Sequence, residues 1–311
     1  MRLVYMGTPE FAVPGLKRLI EDGHLIAGVV TQPDRPRGRG LRVCEPAVKC
    51  AAVEAGLPVL QPEDLKDPDF LAALRGWEAE CFIVVAFRIL PDAVWMMPPA
   101  GAVNLHASLL PRYRGAAPIQ WAVIRGETET GVTTFFIERK MDTGDWILQR
   151  RTPIGPEETA GELHDRLSVI GAECLSETVR RIETGTAVRT RQEGEPSTAP
   201  KILPEHGRID WTRPGRDISN LVRGLSPHPG AYTFWEGRRL RLCGVHPWEG
   251  GAGQAAGTVI EAGCGPLRVA AGLGGVEIRS LQLECGRPME AAEFLRGHRM
   301  RPGTVLGAAD A

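Results

Sequence analysis

The chain is 311 residues long, enough for one large domain or two ordinary ones with buried cores of their own. With 43% hydrophobic and 24% charged residues, it has the composition of a soluble globular protein rather than a disordered or fibrous one. The 37 basic and 38 acidic side chains leave a formal net charge of −1, which excludes a whole-surface polycation but not a local basic patch.

Leu3–Met6 is an apolar run ending at Gly7-Thr8-Pro9, which predicts a buried strand and a turn. Leu16, Leu19 and Ile20 fall on one face of a helix that starts near Val13 and ends at Gly23. Leu25–Thr31 is a second strand, so a βαβ unit opens the chain. Helix Pro46–Gly56, strand Leu57–Leu60, helix Pro68–Gly76 and the wholly apolar strand Cys81–Phe87 follow. Next come strand Ala102–Leu105, helix Ala117–Arg125, strands Val132–Glu138 and Trp146–Thr152 around a Met141–Asp145 turn, and a long helix over Thr159–Glu183. Alternating strands and helices predict a doubly wound, mostly parallel α/β sheet for residues 1–189.

The texture then changes. Residues 190–206 are polar and Pro-rich and read as a linker. Beyond them lies one helix near Pro214–Leu225. Five short strands follow, at Tyr232–Trp235, Arg238–Val245, Thr258–Glu261, Leu267–Ala270 and Val276–Leu283. That pattern predicts a small β-barrel of the oligonucleotide-binding kind for residues 207–311.

Seven cysteines with no C-x-x-C pair fit neither a fully paired disulfide framework nor a zinc site. No apolar run approaches the roughly 20 residues that span a bilayer, and the first residues carry no leader pattern. A cytoplasmic protein with free thiols is expected.

Four constellations carry possible chemistry. After the first strand stands Gly7-Thr-Pro-Glu-Phe11, not G-x-G-x-x-G, which argues against a dinucleotide. Strand alternation puts Asn104 and His106 on one face near the carboxyl end of their strand, where α/β sheets bind ligands. Together they are either a donor pair for a developing oxyanion or a strand-ending Asn beside a core histidine. Asp142 is either a turn former or a carboxylate that orients His106. Arg35, Arg37, Arg39 and Arg42 lie within eight residues that contain two glycines and no acid, a loop suited to a phosphate backbone or merely solvated. In the second part of the chain, Tyr232, Trp235 and Trp248 are candidates for base stacking or for core burial.

Taken jointly, the string Asn104-Leu-His-Ala-Ser-Leu-Leu-Pro-Arg-Tyr-Arg-Gly-Ala-Ala-Pro-Ile-Gln120 and Met141-Asp-Thr-Gly-Asp145 resemble the folate-dependent formyltransferases. Gly7–Val13, Thr31–Gly40 and Gly207-Arg-Ile-Asp-Trp211 are similar to those members that formylate a charged initiator tRNA. The resemblance implies transfer of a formyl group from 10-formyltetrahydrofolate to the α-amine of methionyl initiator tRNA. It implies Asn104, His106 and Asp142 as the catalytic trio. It gives Ser108, Leu109, Leu110 and Pro111 to the folate site, and Arg35, Arg37, Arg39 and Arg42 to the tRNA acceptor stem. No metal is implied, and a monomer is expected. The family usually reads Ala-Tyr-Gly-x-Ile-Leu-Pro after the apolar strand, in a loop that lies against the pterin. Here that loop is Ala86-Phe-Arg-Ile-Leu-Pro91, one residue shorter and without the Gly, so Phe87 and Ile89 are its expected folate contacts. The alternatives are a formyltransferase acting on a small amine such as a sugar nucleotide, and a 10-formyltetrahydrofolate hydrolase. Neither carries the Arg-rich loop.

Overall fold

A computed structural model describes residues 1–37, 42–263 and 265–307. In chain order the elements are β1 (Arg2–Gly7), α1 (Val13–Glu21), β2 (Leu25–Val30), β3 (Arg35–Arg37), β4 (Arg42–Cys44), α2 (Ala47–Glu54), β5 (Val59–Leu60) and α3 (Pro68–Gly76). Then come β6 (Cys81–Val85), α4 (Asp92–Trp95), β7 (Ala102–His106), α5 (Pro118–Ile124), β8 (Glu129–Phe136), β9 (Trp146–Pro153) and α6 (Ala160–Glu183). The last are α7 (Gly215–Gly224), β10 (Ala231–Trp235), β11 (Arg238–Trp248), β12 (Val259–Glu261), β13 (Leu267–Ala270), β14 (Gly275–Leu283), β15 (Met289–Glu290) and α8 (Ala291–Gly297). The chain divides into two compact units. One holds residues 1–116, 129–153 and 164–199; the other holds 117–128, 154–163 and 200–311.

The first unit is built on a seven-stranded sheet in the order β5-β2-β1-β6-β7-β8-β9. The first five strands pair in parallel, and β8 and β9 add antiparallel to the β7 edge. From β1 the chain winds outward through β2 to β5, then returns to place β6 on the other side of β1. The strand order therefore reverses between β1 and β6, and a crevice opens at their carboxyl ends. Strand alternation splits the core into two layers. Val4, Met6, Phe82 and Val84 face Phe70, Leu74 and Val94 on one side. Tyr5, on the opposite face of β1, donates its hydroxyl to the carbonyl of Ala12, and burial pushes its phenol pKa up.

Local chemistry fixes the helix ends. α3 starts where the Asp67 carboxylate accepts the Asp69 N–H, with Pro68 pre-set for the first turn. α6 starts on a reciprocal Thr159–Glu162 capping box. Gly171 lets α6 approach the sheet, since a Cβ there would lie 2.8 Å from the Leu105 side chain. Gly28 has the same role on β2, where a Cβ would stand 2.3 Å from the Trp77 ring.

The second unit carries a six-stranded antiparallel sheet, β10-β11-β14-β13-β12 with β15 on β14. It is a curled sheet, half of the small barrel read from the sequence. β15 is the added strand. Ile218 and Val222 on α7 and Leu225 at its C-cap join Trp211, Trp235, Leu240 and Ile278 in its core.

Other details also differ from the sequence reading, which gave the second unit one helix where α8 is a further one. The Arg-rich loop contains the β3–β4 hairpin. Four-residue α4 carries too little periodicity to be read. β6 stops at Val85, because Ala86 has a φ of 48°. The polar stretch 190–206 is not a free connection throughout. Thr190 bridges Trp146, and the Ala199 N–H donates to the Arg114 carbonyl at 2.7 Å, so 190–199 belong to the first unit.

Gly28→Ala is expected to lower stability by about 1–3 kcal/mol, because the Trp77 ring has to move. Urea denaturation checks this. Adding Trp77→Leu should recover part of the loss, and no recovery would mean the ring is not the obstacle.

Candidate active site

β7 sets the register of the site. Asn104 pairs with Val84 on β6 and Phe135 on β8, and His106 pairs with Thr133. Both side chains leave the same face of the strand, two residues apart. Asn104 is partly exposed, whereas His106 is buried. The His106 Nε2 lies 2.9 Å from the carbonyl oxygen of Tyr113. A carbonyl only accepts, so Nε2 carries the proton in that bond. Nδ1 is the ring nitrogen left free of that bond.

Nδ1 lies 3.9 Å from Asp142 Oδ2. That is longer than a direct hydrogen bond and within ion-pair distance of a charged ring. Asp142 is itself fixed. Its Oδ2 accepts the Gly115 N–H at 2.8 Å. Its backbone adopts φ = 56°, and its carbonyl accepts from Gln192 Nε2 at 3.0 Å. The same nitrogen also donates to the Gly144 carbonyl at 2.8 Å. The Gln192 amide oxygen is in turn held by Arg114 Nη2 at 2.6 Å. Gly144 is required by close approach, since a Cβ there would sit 1.7 Å from the Phe136 carbonyl oxygen. The structure therefore brings Asn104, His106 and Asp142 to one place, which spacing alone did not establish.

The segment after β7 is braced from below. The Thr133 hydroxyl donates to the Ser108 carbonyl at 2.6 Å and accepts the Leu110 N–H at 3.2 Å. Gln149 Nε2 reaches both Thr133 Oγ1 and the Leu110 carbonyl. The Ser108 hydroxyl donates to the Arg112 carbonyl, and Ser197 Oγ accepts the Tyr113 N–H. Ser108, Leu110 and Pro111 are buried, and Leu109 is half-buried. Thr133, Gln149, Gln192 and Ser197 were missed in the sequence. Thr133 and Gln149 look like ordinary strand residues, and the other two lie in a polar tract with no motif.

The loop after β6 sits at the strand-order reversal. Phe87 is half-buried against the core, while Ile89 is 79% exposed. Arg88 is anchored, with Nη1 and Nη2 on the carbonyls of Glu63 and Pro62. Arg35 is exposed on β3, with Nη2 3.9 Å from Glu63 Oε2. Arg37 and Arg42 face each other across the hairpin by backbone register, and nothing is described of their side chains. Arg39 lies outside the described residues. Trp235 is buried in the core of the second unit. Tyr232 and Trp248 are half-buried, with the Arg239 and Arg268 guanidiniums 3.7 and 5.0 Å from their ring centres. No group of three or more His, Cys, Asp or Glu among the described residues is placed to hold a metal, and no described helix is long and apolar enough to cross a membrane.

The first unit is thus a doubly wound sheet with an Asn and a His on one face of β7 and an Asp beside the His. The sequence profile described as "Formyl transferase" matches residues 1–179, and the profile "Formyl transferase, C-terminal domain" matches 201–299. The chain belongs to the formyl transferase family. It is 49% identical to a methionyl-tRNA formyltransferase of Moorella thermoacetica over 99% of both chains, and 48% identical to that of Pelotomaculum thermopropionicum, also over 99% of both. Among solved structures, HypX from Aquifex aeolicus in complex with tetrahydrofolic acid superposes with a TM-score of 0.64 at 19% identity. The match covers 95% of this chain, which spans about half of that longer protein, and it speaks for the fold.

Thr133→Val removes a buried hydroxyl that serves Ser108, Leu110 and Gln149 while keeping its shape. A loss of about 1–3 kcal/mol in urea denaturation is expected. An unchanged midpoint would show that the segment after β7 does not depend on this hub.

Proposed function

We propose that this chain transfers the formyl group of 10-formyltetrahydrofolate to the α-amine of methionyl initiator tRNA, giving N-formylmethionyl-tRNA and tetrahydrofolate. The observation that carries the reading is the meeting of Asn104, His106 Nδ1 and the Gly115-fixed Asp142 carboxylate at the end of β7. The names of the full-length relatives support tRNA over a small amine or water as acceptor.

The chemistry follows from which atoms are free. The neutral α-amine attacks the formyl carbon, and the carbonyl oxygen becomes an oxyanion. The Asn104 amide N–H and a protonated His106 Nδ1 donate to it. The Asp142 carboxylate takes the proton shed by the amine, through water. The oxyanion then collapses to the formamide as the carbon–N10 bond breaks, and Asp142 returns the proton, through water, to N10 of the folate. Both reacting nitrogens belong to the substrates, so no Ser or Cys nucleophile is needed. Holding two large substrates in register supplies much of the rate.

Ser108, Leu109, Leu110, Pro111, Phe87 and Ile89 are assigned to the folate, on the segments after β7 and β6. Arg35, Arg37, Arg39 and Arg42 are assigned to the acceptor stem, as donors to phosphate. The catalytic role is assigned to residues 1–189 and the second tRNA contact to 207–311 of a monomeric, cytoplasmic enzyme, although 117–128 and 154–163 pack within the second unit and 190–199 within the first.

The direct test is formyl transfer by the purified chain with charged initiator tRNA, and the same assay without it. Transfer only with tRNA supports the reading, whereas equal consumption of the formyl donor without tRNA would make the chain a hydrolase. His106→Ala and Asn104→Ala should each lower kcat by roughly 100- to 1,000-fold with smaller changes in KM. An unchanged kcat would remove that residue from the mechanism. Arg39→Ala with Arg42→Ala should raise KM for tRNA and lower the slope of log affinity against log salt by about two. An unaltered slope would count against the hairpin as the phosphate contact.

A further inference from the structure

In the loop after β6, Arg88 makes a specific connection. Arg88 Nη2 donates to the Pro62 carbonyl at 2.7 Å and Nη1 to the Glu63 carbonyl at 2.9 Å. A planar guanidinium on two consecutive carbonyls fixes both the place and the tilt of that backbone. The same short segment holds the root of the β3–β4 hairpin. Gln61 Nε2 donates to Asp34 Oδ1 at 2.7 Å and to the Gln32 carbonyl at 2.9 Å. Asp34 is further paired with Lys49 on α2, and the Glu63 carboxylate lies 3.9 Å from Arg35. Residues 61–63 thus touch the β6 loop on one side and the residues on which the hairpin starts on the other.

We propose that Arg88 is a positioning residue that ties the loop after β6 to the root of the β3–β4 hairpin through residues 61–63, so that the folate-side and tRNA-side segments hold their places together. The proposal rests on the reading of those two segments given above. It assigns Arg88 no contact with either substrate. The partly buried guanidinium is spent on two backbone carbonyls. Its Nε is buried with no partner. A lysine in its place keeps the charge but presents a compact ammonium on a flexible stem, not a fork.

The test compares Arg88→Lys, Arg88→Ala and Gln61→Ala with the unmodified chain. Gln61→Ala cuts the same tie from the hairpin side and serves if an Arg88 variant is poorly folded. Each is expected to raise KM for tRNA by roughly three- to tenfold, with kcat within about twofold and the salt slope unchanged. Arg88→Ala combined with Gln61→Ala should cost no more than the larger single change. Amide exchange across residues 31–37 and 42–44, measured without substrates, should speed up in all three variants. A salt slope reduced by about one in Arg88→Ala would mean a direct phosphate contact and overturn the proposal. So would full rescue by Arg88→Lys, or a rise in the folate KM alone. Failure of the unmodified chain to formylate charged initiator tRNA would sink the functional reading instead. The exchange measurement would then still decide the tie: unchanged exchange would refute it.

Discussion

The site depends on one hydrogen bond, from His106 Nε2–H to the carbonyl of Tyr113. It decides which ring nitrogen is offered to a substrate. With Nε2 committed to a backbone acceptor, Nδ1 faces the Asp142 carboxylate. The bond also explains why the segment after β7 is so heavily braced. A carbonyl acceptor is useful only if it does not move. Tyr113 holds its own place through a left-handed φ of 60°, and its N–H is bonded to Ser197. The hydrogen bonds through Thr133 and Gln149 fix the chain that leads to it.

The sheet supplies the larger frame. Strand order reverses between β1 and β6, the place where open α/β sheets bind ligands outside the carboxyl ends, and the segments after β6 and β7 leave the sheet from those ends. The antiparallel addition of β8 beside β7 has a second consequence. It sets Thr133 opposite His106 and Phe136 opposite Val103, so β8 runs toward the amino end of β7, and Asp142 meets His106 from the turn that follows β8. Asp142 then sits as a carboxylate with one oxygen held by the Gly115 N–H, preorganised before a substrate arrives.

Much of this was legible in the sequence, for identifiable reasons. Wholly apolar runs such as Cys81–Val85 report a strand buried on both faces, and their alternation with helical patterns reports a parallel sheet. The parity of Asn104 and His106 gives their shared face directly. Asp142 was legible only as a member of a family string, because nothing in spacing says which strand β8 pairs with. Gln192 and Ser197 were invisible. They act across the fold from a polar tract whose composition resembles a linker. Short elements failed for a related reason. α4 and β15 are too brief to show a period, and Pro36 with its glycine neighbours disguised the β3–β4 hairpin as plain loop. The half-barrel was legible as strands, but its curl and the added edge strand are tertiary facts.

The central claim is that His106 presents Nδ1 because Nε2 is held by Tyr113. Nitrogen-15 chemical shifts and long-range proton–nitrogen couplings of the His106 ring, in protein labelled at histidine, test it most directly. The account predicts that the neutral ring is the Nε2–H tautomer, with Nδ1 unprotonated. A neutral Nδ1–H tautomer would contradict it. The bond from Nε2–H to the Tyr113 carbonyl would then be absent, and the nitrogen facing Asp142 would be committed before any substrate arrived.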